Sequence, residues 1–423
     1  MEKEVLRMMS MRGLNVHSEI GPLRRVVLHR LGKELVNFRV EDFDRVWSHG
    51  AFFLERAQQE HEVFAHLLQN EGVEVLYLED LVVEALDAVP GARQAFMEQA
   101  MRESMIASPA WRAVVRERLD AITDTREFVR AFITGFPYRA VEPPASSELT
   151  LADLEATHDP AEPLLIPLPG LQFSRDPLAT VGHGVLLNHM CKPQRNREVI
   201  LYETIFRYHP DYAEAPIWYE HEWPYHIEGG DVLNIDAHTL AIGLSDRTEP
   251  GAIDRLAQSL FWGDEASEIE SIYAFAIPHA YALMHLDTVF TQVDVDAFTV
   301  YPGIYQTLRV YRLTRGAKPG NVRIERLDGS LAETLAVMTG QSTVRLIEVA
   351  GGDPIEASRE QWNDGSNTLA VAPGVVCVYE RNVITNDVLD KAGFRLLVVP
   401  SEELSLGRGG PRCMSMPFWR DEL

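Results

Sequence analysis

The amino-acid sequence predicts an α/β fold of five repeated strand-strand-helix-strand units that close into a pseudo-fivefold array, with an inserted α-helical domain. Short apolar runs recur in pairs across a turn, and a helical segment and a third strand follow several of these pairs. Residues 82–157 break the repeat, because their apolar residues recur at helical spacing and they contain few glycines. The chain has 423 residues, 46% of them hydrophobic, and can bury a large core.

Four predicted hairpins each follow a short polar motif. The motifs span 173–176, 228–231, 285–288 and 363–367, and the hairpins span 178–188, 232–244, 289–301 and 368–379. Alternating apolar residues and turn residues such as Gly182 and Gly374 support the hairpins. If the units surround one axis, the polar motifs converge on one central site.

The two ends of the chain supply the remaining elements. The fifth unit is N-terminal and comprises a strand, a helix and a strand at 23–29, 52–70 and 73–78. Near the C-terminus, Thr385 begins the segment that is expected to cap a helix running to Lys391, and a strand follows at 395–399.

This pattern predicts how the chain divides into domains. Residues 1–81 are expected to form the first part of the propeller-like domain, 82–157 the inserted helical domain, and 158–423 the remainder, with the catalytic residues. Pro143 and Pro144 mark the start of the linker that leads back to the repeated units.

The charge and the cysteine count limit the possible functions. A formal net charge of −24 argues against a nucleic-acid or anionic-membrane partner, because the field of the protein would repel both. The three cysteines, Cys191, Cys377 and Cys413, cannot form a disulfide framework and lack zinc-site spacing. We expect no metal ion and no other cofactor.

The sequence also predicts where the protein is located. It has no run of about 18 apolar residues, so no membrane-spanning helix is expected. Its first residues alternate in charge and lack the apolar stretch of a signal peptide. A cytoplasmic location is expected.

Cys413 is the candidate nucleophile. It lies in a loop rich in glycine and arginine, whereas Cys377 lies in an apolar strand, and Cys191 is also expected to be an inert, buried residue. The nearby arginines are expected to favour the thiolate of Cys413.

Carboxylates and a histidine supply the other candidate groups. Asp176, Glu228, Asp231 and Asp287 each lie at the entry to an apolar hairpin, where a solvated surface charge would be poorly placed. His285, two residues before Asp287, is the candidate proton shuttle. A thiol, carboxylates and a histidine are the groups needed to hydrolyse a planar cation such as a guanidinium.

At these residues the sequence resembles the bacterial arginine deiminases, members of the guanidino-modifying (pentein) superfamily. The motifs 173–177, 228–231, 284–288 and 408–417 occur together in the order of that family. The resemblance implies a five-bladed α/β propeller with a helical insertion. It also implies hydrolysis of free L-arginine to citrulline and ammonia through a cysteine S-alkylthiouronium intermediate, which is hydrolase chemistry on a C–N bond of a linear amidine.

The resemblance implies a role for each matching residue. The catalytic residues would be the nucleophile Cys413, the general acid/base His285, its partner Glu228, and the guanidinium-binding Asp176 and Asp287. The substrate-binding residues would be Phe173, Arg195, Arg247, Asp231, Arg408 and Gly170. Arg195 and Arg247 match the arginines that bind the α-carboxylate, and Arg408 matches an arginine of a mobile loop.

Gly170 is the main departure from the family pattern, which usually has asparagine at this position. A lost hydrogen bond to the α-carboxylate, compensation by Gln172 or a water molecule, and a substrate altered at its α-carbon end are three consequences that the sequence leaves open. Gln172 itself replaces the usual aromatic residue.

Other functions remain open from the sequence alone. The main alternative is another cysteine-dependent guanidine hydrolase or an amidinotransferase of the same fold, and a further one is a non-catalytic arginine-binding protein. The family resemblance also implies a homo-oligomer, either a dimer or a tetramer.

Overall fold

The structure is a computed structural model that describes residues 12–46, 48, 50–265, 267–278, 283–305 and 308–423. Its α-helices are α1 (Phe43–Val46), α2 (Leu54–Asn70), α3 (Leu78–Ala88), α4 (Ala92–Arg102), α5 (Pro109–Asp120), α6 (Thr125–Thr134), α7 (Leu151–Glu155), α8 (Asn196–Tyr208), α9 (Pro250–Trp262), α10 (Leu331–Thr339), α11 (Pro354–Trp362) and α12 (Val383–Lys391). Its strands are β1 (Leu23–Leu28), β2 (Glu74–Tyr77), β3 (Phe136–Pro137), β4 (Pro163–Leu165), β5 (Leu178–Val181), β6 (Gly184–Leu187), β7 (Ile217–Tyr219), β8 (Val232–Asp236), β9 (Thr239–Leu244), β10 (Ser271–Ala276), β11 (Phe290–Asp294), β12 (Ala297–Val300), β13 (Arg309–Arg315), β14 (Val322–Leu327), β15 (Arg345–Glu348), β16 (Leu369–Ala372), β17 (Val375–Tyr379), β18 (Arg395–Val399) and β19 (Met416–Arg420).

Five sheets repeat one arrangement, in which an antiparallel pair is extended by a parallel strand. The sheets are β19-β1-β2, β5-β6-β7, β8-β9-β10, β11-β12-β15 and β16-β17-β18. A helix lies in the crossover to each parallel strand, as the right-handed βαβ connection requires. The α/β fold class and the four predicted hairpins are therefore confirmed. Each sheet is open, so the described residues contain no single closed sheet.

Two features of the sheets were not predicted from the sequence. The C-terminal strand β19 pairs with β1 and provides the first strand of the N-terminal unit. A further hairpin, β13-β14, extends the third sheet at β10. Its outer strand β14 is charged and largely exposed, so it lacks the apolar pattern that marks the other strands.

The predicted N-cap of the last helix was wrong by at least three residues, because the N-cap is Asn382. The helix begins at Val383, and Thr385 lies within its first turn. The buried carboxylate of Glu360 accepts hydrogen bonds from the backbone N–H groups of Ile384 and Thr385 and from the Thr385 hydroxyl. The first turn is therefore satisfied by a side chain from α11 instead of by a local cap.

Residues 78–155 are mostly helical and pack onto the second sheet. In their core, the Phe96 ring meets the Phe128 and Phe132 rings edge to face, with centroid distances of 5.5 and 4.8 Å. Helices α3 to α6 share one apolar cluster with α8 and with β5 and β6. This packing fixes the helical segment on one side of the repeated sheets.

No helix among the described residues is long and apolar enough to cross a membrane. The N-terminal residues on which the expected lack of a signal peptide rests, 1–11, lie outside the described part of the chain.

The helical segment allows a matched test of core packing. Leu119 in α5 is fully buried, whereas Leu151 in α7 is 76% exposed. We expect Leu119→Ala to lower the free energy of unfolding by about 2–5 kcal/mol, because it leaves a cavity. Leu151→Ala should change it by less than about 0.5 kcal/mol. Urea unfolding of both variants measures the difference, and equal losses would contradict this packing.

Candidate active site

The polar residues that precede the first strand of each sheet meet at one site. The motifs at 173–176, 228–231, 285–288, 363–367 and 408–415 lead into β5, β8, β11, β16 and β19. The structure brings together Asp176, Glu228, His285, Asp287 and Cys413. The convergence expected from the sequence is observed.

Cys413 is held rigidly and is 4% exposed. Its backbone N–H donates to Asn367 Oδ1 at 3.1 Å, and its carbonyl accepts from the Arg175 N–H at 3.1 Å. Its Sγ lies 3.5 Å from Asp287 Oδ2. Two loops from different sheets therefore fix the sulfur beside a carboxylate.

The expectation that nearby arginines favour the thiolate holds for the effect of Arg412, but burial and neighbouring carboxylates outweigh it. Burial raises the pKa of Cys413 well above its usual range, and Asp287 and Asp176 raise it further. Arg412 lowers it, but its charge is shared with Glu19 and Asp287. The Cys413 thiol is therefore expected to be protonated at neutral pH.

His285 and Glu228 form a buried ion pair. His285 Nε2 lies 2.8 Å from Glu228 Oε2, and His285 Nδ1 lies 3.8 Å from Asp176 Oδ1. Burial alone would lower the pKa of His285, but Asp176, Glu228 and Asp231 raise it to about 9. The pKa of Glu228 is about 2, because Arg247 and His285 outweigh the opposing effect of burial. His285 is therefore an imidazolium at neutral pH.

Asp176 and Asp287 each offer one buried oxygen. Asp176 Oδ2 accepts from Arg195 Nη1 at 2.9 Å, and Asp287 Oδ2 accepts from Arg412 Nη1 at 2.8 Å. The Oδ1 atoms of both aspartates are buried and have no hydrogen-bond partner in the described part of the chain. Buried carboxylate oxygens require partners, so these two atoms suit a cationic ligand with several N–H donors.

The predicted substrate arginines lie on the pocket wall. Arg247 Nη1 is 3.8 Å from Glu228 Oε1, and Arg247 Nη2 is 3.5 Å from Met284 Sδ. Arg408 lies in the left-handed backbone region, with φ of 65°, and its guanidinium stacks 3.7 Å from the centre of the Trp362 ring. Arg195 is engaged by Glu198 as well as by Asp176.

Asp231 does not reach the pocket. One of its oxygens accepts from Ser245 and Thr248, and the other accepts from the Leu286 N–H at 2.8 Å. Burial raises the pKa of Asp231 to about 6, opposed by His285 and these donors. In this structure Asp231 joins the two loops that carry Glu228 and His285, instead of facing a ligand.

The pocket is nearly closed. Its wall includes Gly170, Phe173, Asp176, Arg195, Arg247, His285, Arg408 and Cys413 from the predicted set, and Ser48, Phe52, Pro169, Gln172, Met284, Thr288 and Gly407 besides. Its free volume is about 30 Å³, enough for one or two water molecules. An amino acid can enter only if part of this wall moves.

The loop beside Cys413 closes over Phe173. A Cβ atom on Gly409 would lie 2.4 Å from the Phe173 ring, so only glycine permits this approach. Gln172 is buried below the same loop and donates to the Leu404 carbonyl at 2.9 Å. This contact uses the Gln172 amide to hold the loop.

Three buried side chains could also be considered as metal ligands. One donor atom each from Asp176, Glu228 and His285 lies within 4.8 Å of the others. His285 and Glu228 already bind each other through a hydrogen bond, and Asp176 already binds the cationic Arg195. The set fits an ion pair with a cationic ligand better than a divalent ion.

Four residues of the site were not recognised from the sequence: Glu19, Glu198, Asn367 and Arg412. Glu198 follows Arg195 by one helical turn, and this spacing could have indicated the pair. Arg412 lies next to Cys413, and Asn367 ends a polar motif that had been noted. Glu19 is 393 residues from its partner Arg412, and no local signal marks it.

Comparison with known proteins gives consistent results. Residues 46–420 match the family described as arginine deiminase. The arginine deiminase of Treponema denticola is 45% identical over 411 residues, covering 97% of this chain and 99% of the relative. That of Clostridium perfringens is 41% identical over 418 residues, covering 97% and 99%.

Solved structures share the fold at low identity. An amidinotransferase from Microseira wollei, from the saxitoxin biosynthetic pathway, has a TM-score of 0.53 and 14% identity over 97% of this chain and 98% of that one. A dimethylarginine dimethylaminohydrolase adduct with S-methyl-L-thiocitrulline has a TM-score of 0.50 and 14% identity, covering 94% and 100%. The match over most of the chain and the full-length relatives above 40% identity show that this protein belongs to the arginine deiminase family.

Proposed function

We propose that the protein hydrolyses free L-arginine to L-citrulline and ammonia. The observation that carries this proposal is the pair of buried carboxylates, Asp176 and Asp287, whose Oδ1 atoms have no hydrogen-bond partner among the described residues. Asp287 Oδ2 lies 3.5 Å from Cys413 Sγ, and Asp176 lines the same pocket as Cys413. A guanidinium is planar, permanently charged and rich in donors, and it satisfies both oxygens at once. A guanidinium bound between Asp176 and Asp287 would also have its carbon close to Cys413 Sγ.

Substrate binding prepares the nucleophile. A cation between Asp176 and Asp287 offsets the two charges that raise the pKa of Cys413, so the thiol releases its proton to water as the guanidinium binds. The thiolate then attacks the guanidinium carbon. The His285 imidazolium donates a proton to the departing nitrogen, ammonia leaves, and an S-alkylthiouronium remains on Cys413.

The second half-reaction returns the enzyme to its starting state. Neutral His285, oriented by Glu228, accepts a proton from a water molecule. The resulting hydroxide attacks the thiouronium carbon to give a tetrahedral intermediate. The bond to Cys413 Sγ then breaks as the hydroxyl proton of the intermediate passes to the departing sulfur, so citrulline is released and Cys413 is again a thiol. No step needs a metal ion or another cofactor.

The remaining predicted residues have supporting roles in this proposal. Phe173 packs against the substrate, and Arg247 with Arg195 faces its α-carboxylate. Arg408 moves away from Trp362 when arginine enters, because the closed pocket has too little volume for an amino acid. Asp231 contributes indirectly, by joining the Glu228 and His285 loops.

The surroundings of Gly170 argue against two of the three consequences that the sequence leaves open. The space beside it is filled by Glu198, since a Cβ atom at 170 would lie 2.2 Å from Glu198 Oε1. Room for an altered substrate is therefore not expected there. Gln172 is bound to Leu404 and is not the compensating contact in this state.

We also propose that the five sheets form a five-bladed propeller around the site. Side chains link the first strands of neighbouring sheets: Thr180 in β5 donates to Pro417 in β19, and Asn234 in β8 donates to Thr180. On the other side, Thr291 in β11 bonds to Thr368, beside β16, and Arg420 in β19 donates to Ala370 in β16. In this arrangement residues 82–157 form the inserted helical domain between the propeller parts 1–81 and 158–423.

The alternatives from the sequence are less well supported. An amidinotransferase or another guanidine hydrolase would use the same thiol, but the full-length relatives are all named arginine deiminase. A non-catalytic protein would not require a buried thiol beside a His285–Glu228 pair. The cytoplasmic location and the assembly as a homo-dimer or homo-tetramer stay predictions.

The first experiment measures the products. Purified protein incubated with arginine should release citrulline and ammonia in equal amounts, with little turnover of agmatine or methylarginines. Prior treatment with a strong chelator should leave the rate unchanged.

Cys413→Ala should abolish turnover, whereas Cys377→Ala, in a strand away from the pocket, should lower stability only. A new guanidino product, or activity in Cys413→Ala, would contradict the proposal.

The carboxylates are tested by neutral replacements of the same shape. Asp176→Asn or Asp287→Asn leaves the substrate cation partly unpaired, which costs on the order of 2–5 kcal/mol. We expect kcat/KM to fall by roughly tenfold to several thousandfold. Steady-state kinetics provides the measurement, with the exposed Asp328→Asn as the matched control. Near-normal kinetics in either variant would mean that the guanidinium binds elsewhere.

The protonation of His285 can be followed directly. Its pKa of about 9 lies above the ordinary value of 6.5, so the ion pair with Glu228 stabilises the fold fully below pH 6.5 and is lost as the pH rises through about 9. NMR titration of the ligand-free protein should give this midpoint for His285. Glu228→Gln should lower the pKa of His285, because the negative charge of Glu228 raises that pKa. A midpoint near 6.5 in the wild type would argue against the imidazolium as the proton donor.

A further inference from the structure

The two aspartates at the site are held in the same way by two different parts of the chain. In each case Oδ2 accepts from the Nη1 atom of a buried arginine, Arg195 for Asp176 and Arg412 for Asp287. In each case Oδ1 has no hydrogen-bond partner among the described residues. The same geometry on two loops indicates that both aspartates must be held in a fixed orientation.

Behind each arginine lies a buried glutamate that binds its other edge. Glu198 accepts from Arg195 Nε at 3.0 Å and from Nη2 at 2.9 Å. Glu19 accepts from Arg412 Nε at 2.9 Å and from Nη2 at 3.1 Å. The four side chains are at most 6% exposed. We call the two sets, Glu198–Arg195–Asp176 and Glu19–Arg412–Asp287, the carboxylate clamps.

The geometry of the guanidinium explains what a clamp does. When a carboxylate binds the Nε and Nη2 edge in a bidentate pair, the planar group cannot rotate, and Nη1 points in a fixed direction. The aspartate that binds Nη1 is thereby fixed, with its second oxygen directed away from the arginine. In the second clamp, burial raises the pKa of Glu19, but Arg412 and Arg175 lower it to about 2, so this glutamate is charged and balances Arg412. In the first clamp, burial raises the pKa of Glu198 to about 7, opposed by Arg195.

We propose that Glu19 and Glu198, which do not line the pocket, are positioning residues that act through Arg412 and Arg195 to aim one oxygen of Asp287 and Asp176 at the substrate guanidinium. This inference rests on the proposed function for the identity of the ligand. It assigns to Arg195 a positioning task in addition to the contact with the α-carboxylate that the family resemblance implies. Four of its five N–H groups already donate, to Glu198 twice, to Asp176 and to the Gly170 carbonyl.

Gly170 is part of the first clamp. A Cβ atom there would lie 2.2 Å from Glu198 Oε1 and 2.6 Å from Arg195 Nε. A side chain at this position would require the Glu198 carboxylate or the Arg195 guanidinium to shift. The glycine therefore leaves the space in which the Glu198–Arg195 pair forms.

The test separates recognition of the guanidinium from recognition of the amino-acid end. Agmatine has the guanidinium but no carboxylate, and L-norvaline has the amino-acid end but no guanidinium. Calorimetric titration of wild type, Glu198→Gln and Glu19→Gln with each probe should show agmatine affinity reduced by roughly tenfold or more in both variants. Norvaline affinity should stay within about twofold. Weakened norvaline binding with unchanged agmatine binding would overturn the inference.

A matched buried glutamate controls for stability. Glu360 is 6% exposed and accepts three hydrogen bonds from α12, away from the clamps. Glu360→Gln should lower the melting temperature and leave agmatine affinity unchanged. If it weakens agmatine binding as much as the clamp variants do, a general loss of stability explains the effect and the inference falls.

Gly170→Ala provides a second route that keeps every charged residue. It should weaken agmatine binding in the wild-type background and have little further effect in Glu198→Gln, since both changes disrupt one pair. Additive effects would overturn the role of Glu198. If Glu198→Gln does not fold, the effect of Gly170→Ala on agmatine binding in the wild-type background still tests the first clamp.

Citrulline formation by the wild type distinguishes this inference from the proposed function. If citrulline forms but the clamp variants bind agmatine normally, the inference fails and the function stands. If no citrulline forms but the variants lose agmatine affinity, the function fails and the clamps stand. If the wild type does not bind agmatine, the inference is overturned.

Discussion

The structure depends on the pairing of buried charges around one thiol. Asp176, Asp287, Glu228 and His285 are all removed from water, and an unpaired charge at such depth is strongly destabilising. Each is therefore bound by a partner from another loop, through Arg195, Arg412 or the histidine–glutamate pair itself. The His285–Glu228 and Arg412–Asp287 pairs join loops that precede the first strands of different sheets, whereas Arg195 and Asp176 belong to the same β5-β6-β7 unit. The site is therefore complete only when these sheets are assembled.

The protonation states follow from the same constraint. With no cation between the aspartates, their charges raise the pKa of the Cys413 thiol and of the His285 imidazole, so both groups hold protons. An incoming guanidinium reverses this effect at the thiol, which lies 3.5 Å from Asp287. A neutral molecule of the same shape would leave the thiol protonated. The charge arrangement therefore favours cationic substrates by activating the nucleophile only when one is bound.

Much of the fold could be predicted because its signals are local. The hairpins β5-β6 and β8-β9 have alternating residues and tight turns, and each motif that precedes them is continuous in sequence. The pairing of β19 with β1 and of Arg412 with Glu19 joins residues about four hundred positions apart, and one sequence contains no signal for either. The start of α12 was misplaced for a similar reason, since Glu360 supplies its cap from another helix.

Gly170 shows how a sequence pattern and a structure can give different meanings to one residue. Compared with the usual asparagine, the glycine indicates a missing hydrogen bond to the substrate. In the folded protein the space it leaves is occupied by the Glu198 carboxylate, and its own carbonyl accepts from Arg195. The missing side chain thus leaves room for a buried bidentate ion pair that holds Asp176. This geometry gives the glycine a structural reason that the comparison with the family pattern alone does not show.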